Sequence, residues 1–344
     1  MMIYLSTLAH FGILTMRFLT LSLLAILPIS LTTYAQTPPQ KYPMTASASP
    51  AGQVNPNSSV NTAIWQQGSD LSADRNLTTK IQTLLDRSNA NAGPIDGKIG
   101  SNTRKAIRAF EKMKGLSVDG KMDAQVWQAL QSVANAPILI QYTISSDDAN
   151  GPFLTTPSDV ADKAKMSSMA YESIVEMLGE KFHMHVNYLR ALNPNSSFAA
   201  GDTITVVDVG SPAQMTVDHI EASKSDEMVY AYDANNQLIA AYPATIGSSD
   251  TPSPSGSHTI AVVVPDPNYT WSFGNGTYIL PPGPNNPVGN VWMGLSKDGY
   301  GIHGSPDPEG ISRQASHGCV RLTNWDAREL MGNVKAGVPV HFVD

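Results

Sequence analysis

The spacing of apolar residues divides the chain into a helical part and a strand-rich part. In the first part, three stretches carry apolar residues every three or four positions, which predicts amphipathic helices. Their apolar sets are Leu77, Ile81, Leu84 and Leu85, then Ala106, Ile107, Phe110 and Met113, then Val126, Trp127 and Leu130. The second helix is expected to have Ser101 or Asn102 as its N-cap and to end near Gly115.

Two similar turns precede the second and third helices and form a weak internal repeat. They read Asp96-Gly97-Lys98 and Asp119-Gly120-Lys121. Asp-Gly pairs between apolar runs indicate turns. The pattern predicts a small helical domain over residues 64–133, and on this pattern alone the Asp-Gly pairs can equally be no more than turns in a generic bundle.

Residues 138–208 predict a second small module. Residues 138–144 alternate like a strand, and the polar stretch that follows through residue 162 resembles an inserted loop. Helical spacing covers residues 173–178 and 186–192, Asn193-Pro194 breaks it, and residues 203–207 predict another strand. The order is therefore strand, helix, helix, strand.

From residue 215 the pattern changes to short strands separated by Gly and Pro turns. Strands are predicted over residues 219–222, 228–232, 238–243, 258–264, 292–295 and 338–343, and a helix between Asn324 and Asn333. The fold class is therefore multidomain α+β, with a β-sandwich or partly closed barrel at the C-terminal end that carries its function on loops.

The N-terminus is typical of an export signal. Arg17 precedes an apolar run over residues 18–31, and small or polar residues follow up to Ala35. This pattern predicts a signal peptide over residues 1–35, with Met16 as an alternative start. An uncleaved membrane anchor is the alternative, although the run is short and contains Pro28. Residues 36–63, rich in Pro, Ser, Ala and Asn, are predicted to be a disordered linker.

The net charge and the cysteine content limit the classes of function that the sequence supports. The formal net charge of the 344 residues is -7, which gives no basic stripe and argues against nucleic acid as a partner. The chain has 1 cysteine. Exported proteins normally pair their cysteines, so an unpaired Cys319 indicates either a buried core residue or a thiol that is needed for chemistry.

The residues around Cys319 favour chemistry. Cysteine attacks as a thiolate, and a nearby neutral imidazole can take its proton; His303 and His317 are the candidates. Gly318 lets backbone N–H groups turn toward a developing oxyanion, and Arg321 can hold a substrate carboxylate.

Two alternatives concern the same residues. The two histidines and the cysteine are compatible with an open catalytic zinc site, although a structural zinc site needs four ligands. Arg321 can instead pair with Asp326 or Glu329.

The segment Ile302-His303-Gly304-Ser305, followed by Ser316-His317-Gly318-Cys319-Val320-Arg321, resembles the signature of the L,D-transpeptidase catalytic domain. The resemblance covers nearly all of residues 215–344. Upstream it includes residues 229–232, 241–243, 246–247 and the Gly283-Pro284-x-x-Pro287-x-Gly289 run before Trp292. Residues 252–256 depart from the family's usual Thr-Pro-x-Gly, without removing a catalytic group.

Residues 64–133 resemble the three-helix peptidoglycan-binding domain, and residues 138–208 resemble a diverged LysM-like glycan-binding module. The second resemblance lacks the usual Gly-Asp-Thr-Leu entry to the first helix. A scaffold role for the catalytic domain is therefore an equal alternative to sugar binding for residues 138–208.

The catalytic-domain resemblance implies roles for individual residues. Cys319 would be the acylated nucleophile and His303 its base, oriented by the backbone carbonyl of Gly304. The backbone N–H groups of His317, Gly318 and Cys319 would form the oxyanion hole, and Ser316 and Arg321 would shape the donor site. The resemblance implies no metal and no organic cofactor.

The same resemblance implies the reaction and its setting. The thiolate would be acylated by a stem tetrapeptide of peptidoglycan with release of D-alanine, and an acceptor amine would then take the acyl group to give a 3-3 crosslink. Alternatives are an L,D-carboxypeptidase, an enzyme that attaches or detaches a wall lipoprotein, and a non-catalytic wall-binding protein. Sensitivity to carbapenems and a role in cell shape are also implied. The export signal favours the periplasm of a Gram-negative cell, with membrane contact only through an uncleaved signal segment.

Overall fold

A computed structural model describes residues 58–248, 250–273, 276–314, 316 and 318–344, without the side chain of Phe273. The predicted signal peptide (1–35) and the linker up to residue 57 lie outside these ranges. No helix within the described ranges combines the length and the apolar character needed to cross a membrane.

The first described unit is helical, as predicted. Its helices are α1 (Ser59–Thr62), α2 (Arg75–Asp86), α3 (Ser101–Lys114) and α4 (Ala124–Leu130), the last continued by a 3-10 turn, Gln131–Val133. The prediction of a disordered linker up to residue 63 is wrong for α1, because Val60 is buried among the apolar side chains of this unit. Asp74 and Asp123 cap α2 and α4 by accepting backbone hydrogen bonds. The predicted cap of α3 is wrong, because Gly100 is the N-cap and makes no side-chain hydrogen bond. Gly115 ends α3 with a left-handed φ of 65°, as expected of a C-terminal glycine.

Each Asp-Gly turn is held by a buried side chain from the helix before it. The Gln82 side chain accepts hydrogen bonds from the backbone N–H groups of Asp96 and Gly97. The Glu111 carboxylate accepts from the N–H groups of Asp119 and Gly120 in the same way, both at 2.9 Å. In both copies of the weak sequence repeat, a buried side chain of the preceding helix therefore accepts hydrogen bonds from two backbone N–H groups of the Asp-Gly turn.

The middle unit follows the predicted strand, helix, helix, strand order. Its elements are β1 (Leu139–Thr143), α5 (Ser146–Asn150), α6 (Val160–Lys163), α7 (Ile174–Lys181), α8 (Val186–Leu192) and β2 (Thr203–Val207). β1 and β2 pair antiparallel. The stretch predicted as a loop contains the short helices α5 and α6. Apolar side chains of this unit and of the first unit belong to one hydrophobic cluster, so the two share a core.

The third unit is mostly β. Its strands are β3 (His219–Ser223), β4 (Met228–Tyr232), β5 (Leu238–Pro243), β6 (Thr245–Ile246), β7 (Gly256–Pro265), β8 (Tyr269–Phe273), β9 (Gly276–Leu280), β10 (Val291–Leu295), β11 (Gly301–His303), β12 (Val320–Arg321) and β13 (Pro339–Val343). A single helix of more than one turn, α9 (Asn324–Asn333), is described here and has the predicted bounds. The six predicted strands are confirmed.

In the described ranges, a nine-stranded sheet runs in the order β5-β4-β3-β13-β7-β10-β11-β12-β6. The two edge strands, β5 and β6, are separated in sequence by Ala244 alone, so the sheet is nearly closed. Apolar side chains from the sheet and α9 fill one core. Because β12 directly precedes α9, this helix fixes the end of the strand that follows Cys319.

The first unit covers the β5 edge of the sheet. Asn91 N–H donates to Ala241 O at 2.9 Å, and Ala241 N–H donates to Asn89 O at 2.8 Å. Lys105 on α3 pairs with Glu227 at 2.6 Å. An unpaired strand edge invites association with another chain, and here the chain's own segment occupies it.

A buried polar cluster joins all three units at α9. His183 Nδ1 lies 3.1 Å from Asp86 Oδ2, and the His183 ring stacks on Trp325. Asn91 Nδ2 donates to Asp326 Oδ1 at 2.5 Å, with Asp326 fully buried. Burial is the main reason that the pKa of Asp326 rises to about 7.

We expect this cluster to make folding stability depend on pH. A carboxyl group whose pKa is raised to about 7 by folding keeps its proton in the folded state where the unfolded chain has lost it. The contribution of this carboxyl group to the unfolding free energy therefore falls as the pH rises from about 4 to about 7. The fall is about 1.4 kcal/mol for each pH unit in that range. Asp326→Asn should flatten this slope, measured by urea unfolding at pH 5 and pH 8. The exposed Asp147→Asn is the matched control, and an unchanged slope in Asp326→Asn would contradict the interpretation.

Candidate active site

Cys319 lies directly before β12, beside the loop that enters β11. Its side chain is partly exposed, and Sγ contacts Gly299 O at 3.7 Å. β11 and β12 pair in parallel, with Ile302 opposite Val320. The strand pairing therefore brings the Cys segment next to the His303 segment, as the sequence predicted for these two motifs.

His303 ends β11 and is almost fully buried, with 4% of its surface exposed. Its Nδ1 lies 2.7 Å from Gly304 O. A carbonyl oxygen only accepts, so Nδ1 is assigned as the donor and Nε2 is left as the acceptor of the neutral ring. The imidazole also stacks on Trp292 of the neighbouring strand β10, with ring centroids 5.7 Å apart.

The register of β11 and β12 places the candidate side chains on one face. His303 is directly opposite Arg321. Side chains two residues apart on a strand point to the same face, so Cys319 is expected on the face that carries Arg321 and His303. The electrostatics agree, because the positive charge of Arg321 acts on both Cys319 and His303.

Burial makes both groups neutral near pH 7. It raises the pKa of the Cys319 thiol, an effect that a backbone hydrogen bond from Gly301 and the charge of Arg321 oppose. It lowers the pKa of His303 to about 4, although the bond to Gly304 acts in the opposite direction. The resting pair is therefore a thiol beside an uncharged imidazole that is able to accept its proton.

The loop before Cys319 is held by backbone and hydroxyl contacts. Ser316 Oγ donates to Cys319 O at 2.7 Å, and Thr251 Oγ1 donates to Ser316 O at 2.7 Å. Ser316 N–H donates to Gly247 O at 3.3 Å. The predicted site residue Ser316 thus braces the nucleophile loop. His317 lies outside the described residues, so its oxyanion-hole role stays a prediction.

The two carboxylates suggested as alternative partners of Arg321 have other partners. Asp326 accepts from Asn91, and Glu329 accepts from the Tyr242 hydroxyl at 3.0 Å. Arg321 itself lies at the pairing of β11, β12 and β6, next to the face that carries Cys319. The structure therefore has a thiol directly before β12, an imidazole with an oriented ring at the end of β11, and a guanidinium opposite that imidazole.

Two segments of the chain match known protein families. The family described as L,D-transpeptidase catalytic domain matches residues 217–342. The family described as putative peptidoglycan binding domain matches residues 74–130. The putative L,D-transpeptidase YkuD of Bacillus subtilis is 30% identical over 153 residues, which are 43% of this chain and 82% of that protein. The chain belongs to the L,D-transpeptidase family.

Other L,D-transpeptidases match shorter stretches. The probable L,D-transpeptidase YbiS of Escherichia coli K12 is 41% identical over 66 residues, 19% of this chain and 21% of that protein. Among solved structures, the NMR structure of the catalytic domain of the Enterococcus faecium L,D-transpeptidase has 24% identity and a TM-score of 0.31. The match covers 38% of the present chain and 99% of the chain in the Enterococcus faecium structure.

Several residues around this L,D-transpeptidase site were not singled out from the sequence as site residues. Trp292 was noted only as part of a strand, although its ring stacks on His303. Tyr269 on β8 is close enough to Cys319 and Arg321 for their charges to affect its pKa, which burial raises. The Oδ1 atom of Asn324 fills the space beside the Gly304 Cα where a Cβ would lie. A Trp on the predicted strand that precedes the His-Gly motif is a usable signal, whereas Tyr269 lies on a hairpin that the sequence did not predict.

Glycine is required at position 318 because its backbone φ is positive and because neighbouring atoms leave no space for a Cβ. Its φ is +98°, and an added Cβ would lie 2.8 Å from Tyr300 Cε1 and 3.1 Å from Pro252 O. We expect Gly318→Ala to displace the Cys319 loop and to lower acylation of Cys319 by roughly 10- to 100-fold. Gly337→Ala is the matched control, with φ +95° and no atom within 4 Å. Equal effects of both variants on acylation, measured by intact-mass spectrometry, would reject the steric account.

Proposed function

We propose that this chain is an active cysteine acyltransferase of peptidoglycan that acts as an L,D-transpeptidase. The observation that carries the proposal is the parallel pairing of β11, which ends at His303, with β12, which begins directly after Cys319, together with the bond of 2.7 Å between His303 Nδ1 and Gly304 O. This bond leaves Nε2 as the proton acceptor. Such an arrangement suits nucleophilic catalysis by a thiol with a separately oriented base.

In the first step, His303 Nε2 takes the proton of Cys319 as Sγ bonds to the carbonyl carbon of the L-configured centre of the diamino acid in the donor stem. Because both groups are neutral at rest, proton transfer accompanies attack rather than preceding it. The carbonyl oxygen becomes an oxyanion near the backbone N–H groups of Gly318 and Cys319. The bond to D-alanine then breaks, and the leaving amine takes the proton from His303.

In the second step, an amine of an acceptor stem attacks the thioester carbon. His303 takes a proton from the attacking amine and returns it to the departing Cys319 sulfur, so the enzyme is restored and a 3-3 crosslink is formed. No redox change occurs in either step. Arg321, on the strand that begins directly after the nucleophile, is suited to bind a carboxylate of the donor stem.

The helical unit is proposed to hold the enzyme on its polymeric substrate. A groove of about 430 Å³ lies in this unit. Its lining combines aromatic, aliphatic and charged side chains, among them Trp65, Leu71, Arg104 and Lys121. Such a mixture suits a ligand with sugar faces and peptide carboxylates. Action on peptidoglycan requires export, which is consistent with the export signal predicted over residues 1–35.

The test is mass spectrometry of disaccharide-tetrapeptide muropeptides incubated with the purified chain. Crosslinked dimers that have lost one D-alanine are expected. Tripeptide monomers without dimers would shift the assignment to an L,D-carboxypeptidase. If neither product forms although Cys319 is acylated by a carbapenem, a lipoprotein acceptor is indicated. If Cys319 is not acylated at all, the chain is a wall-binding protein and the proposal fails.

A further inference from the structure

A carboxylate from the middle unit reaches the back of the active site. Glu180, at the end of α7, is 5% exposed, although it belongs to a segment outside the matched catalytic domain. Its Oε1 accepts a hydrogen bond from Asn324 Nδ2 at 2.7 Å. Its Oε2 accepts from the Tyr171 hydroxyl at 2.9 Å and lies 3.8 Å from Arg328 Nη2. Both oxygens are thus held, and one of them fixes an amide of the catalytic domain.

Asn324 transmits this contact to the main chain next to His303. Its side chain is fully buried, and its Nδ2 also donates to Pro284 O at 3.1 Å. Its Oδ1 accepts from Asn290 N–H at 3.3 Å. The same oxygen occupies the space that a Cβ on Gly304 or on Gly289 would fill. The amide therefore packs directly on Gly304, whose carbonyl orients the imidazole.

Glu180 is one of three groups that hold the orientation of the Asn324 amide. An asparagine side chain can be turned over with little change in shape, which exchanges its oxygen and its NH₂ group. A carboxylate accepts hydrogen bonds and does not donate them, so Glu180 favours the orientation that directs Nδ2 toward itself and Oδ1 toward Gly304 and Asn290. Pro284 O and the Asn290 N–H favour the same orientation, and Glu180 adds the shortest of the three contacts that hold the amide.

We propose that Glu180 is a positioning residue for catalysis: through Asn324 it holds the Gly304 backbone that orients His303. The middle unit then does more than space the other two units, because it completes the support of the catalytic base. This inference rests on the proposed function for its kinetic consequence, but the orientation of His303 can be measured without any turnover.

The experiment compares the chain with Glu180→Leu and Glu180→Gln. Two quantities are measured: the rate of Cys319 acylation by a carbapenem, and the NMR signal of the His303 Nδ1 proton, identified by its loss in His303→Ala. Glu180→Leu should slow acylation by roughly 10- to 100-fold and speed exchange of the Nδ1 proton with water. Glu180→Gln keeps an oxygen toward Asn324 and should stay within about threefold of the original rate. Glu176→Gln, on the same helix, is the control for loss of charge.

A double substitution separates positioning from a general loss of structure. In the His303→Ala background, Glu180→Leu should change the acylation rate by less than about twofold, because the group it acts through is absent. An equal fall in both backgrounds, an unchanged rate in Glu180→Leu, or an unchanged Nδ1 signal would overturn the proposal. If the unaltered chain is not acylated, the proposed function fails, whereas the Nδ1 signal still decides whether Glu180 orients His303.

A reciprocal swap provides a test if Glu180→Leu does not fold. Asn324→Asp places two carboxylates together at nearly unchanged volume and should slow acylation. When Glu180→Gln is added to Asn324→Asp, the glutamine NH₂ group can donate to the aspartate at position 324. Part of the lost acylation rate should therefore return. A combined variant that is no faster than Asn324→Asp would count against the pair.

Discussion

Replacing Cys319 with alanine is expected to abolish acylation and crosslinking while the fold is retained. The thiol is partly exposed, and its contact with Gly299 O is long, at 3.7 Å, so removal of the sulfur should disturb little packing. Loss of the nucleophile should lower turnover by at least about 10⁴-fold, as for other enzymes that form an acyl intermediate. Intact-mass spectrometry with a carbapenem and analysis of muropeptide dimers measure the two effects.

Cys319→Ser is the informative companion variant. It keeps a hydroxyl of similar size in the same place, but serine is a much weaker acid than cysteine, so His303 is a poorer match for its proton. We expect a residual rate well below that of the unaltered chain and a folded protein by circular dichroism. Unchanged turnover in Cys319→Ala would end the assignment of the nucleophile, since the chain has 1 cysteine.

The parts of the fold that the sequence predicted are those with a long, regular pattern. Helix α9 was predicted with the bounds it has, and in the structure Thr323 caps it by accepting a hydrogen bond from the Asp326 N–H. Helix α2 likewise carries clear helical periodicity, and β4 and β5 are short, nearly continuous apolar runs. The proximity of Cys319 and His303 was expected from their motifs, and the parallel pairing of β11 with β12 supplies its structural reason.

Other parts could not be predicted, for physical reasons. Strands β6 and β12 have only 2 residues each, which is too short for any alternation to be visible. A sandwich or partly closed barrel was predicted, but the strand order of the nearly closed sheet depends on long-range pairing that no local pattern encodes. The position of Glu180 against Asn324 depends on how two units pack, so α7 gave only a helical pattern and no sign of a role at the active site.

The structure also links the predicted units more closely than their separate patterns indicated. The first two share one core, and α9 receives contacts from both through Asn91 and Glu180. Because α9 directly follows the strand that begins after Cys319, changes in either unit can reach the nucleophile loop. The catalytic domain of this chain is therefore supported from outside its own sheet.

The second large effect is expected for the base: His303→Ala should slow acylation of Cys319 by about 10²- to 10⁴-fold at pH 7. Burial lowers the pKa of His303 to about 4, so its ring is uncharged and able to accept a proton across the neutral range. The unaltered chain should therefore lose activity on acidification only near pH 4. Without the base, the rate should follow the free thiolate, and since burial raises the pKa of Cys319, it should keep rising through pH 9.

Two further variants make this test specific. His303→Gln retains a side-chain N–H for Gly304 O and fills most of the space against Trp292, so it separates loss of the base from loss of packing. It should be nearly as slow as His303→Ala and more stable. The rates are measured from pH 4 to pH 10 by the mass of the carbapenem adduct. If His317→Ala alone removes the activity and both His303 variants retain it, the two histidines have exchanged roles and His303 only supports the loop.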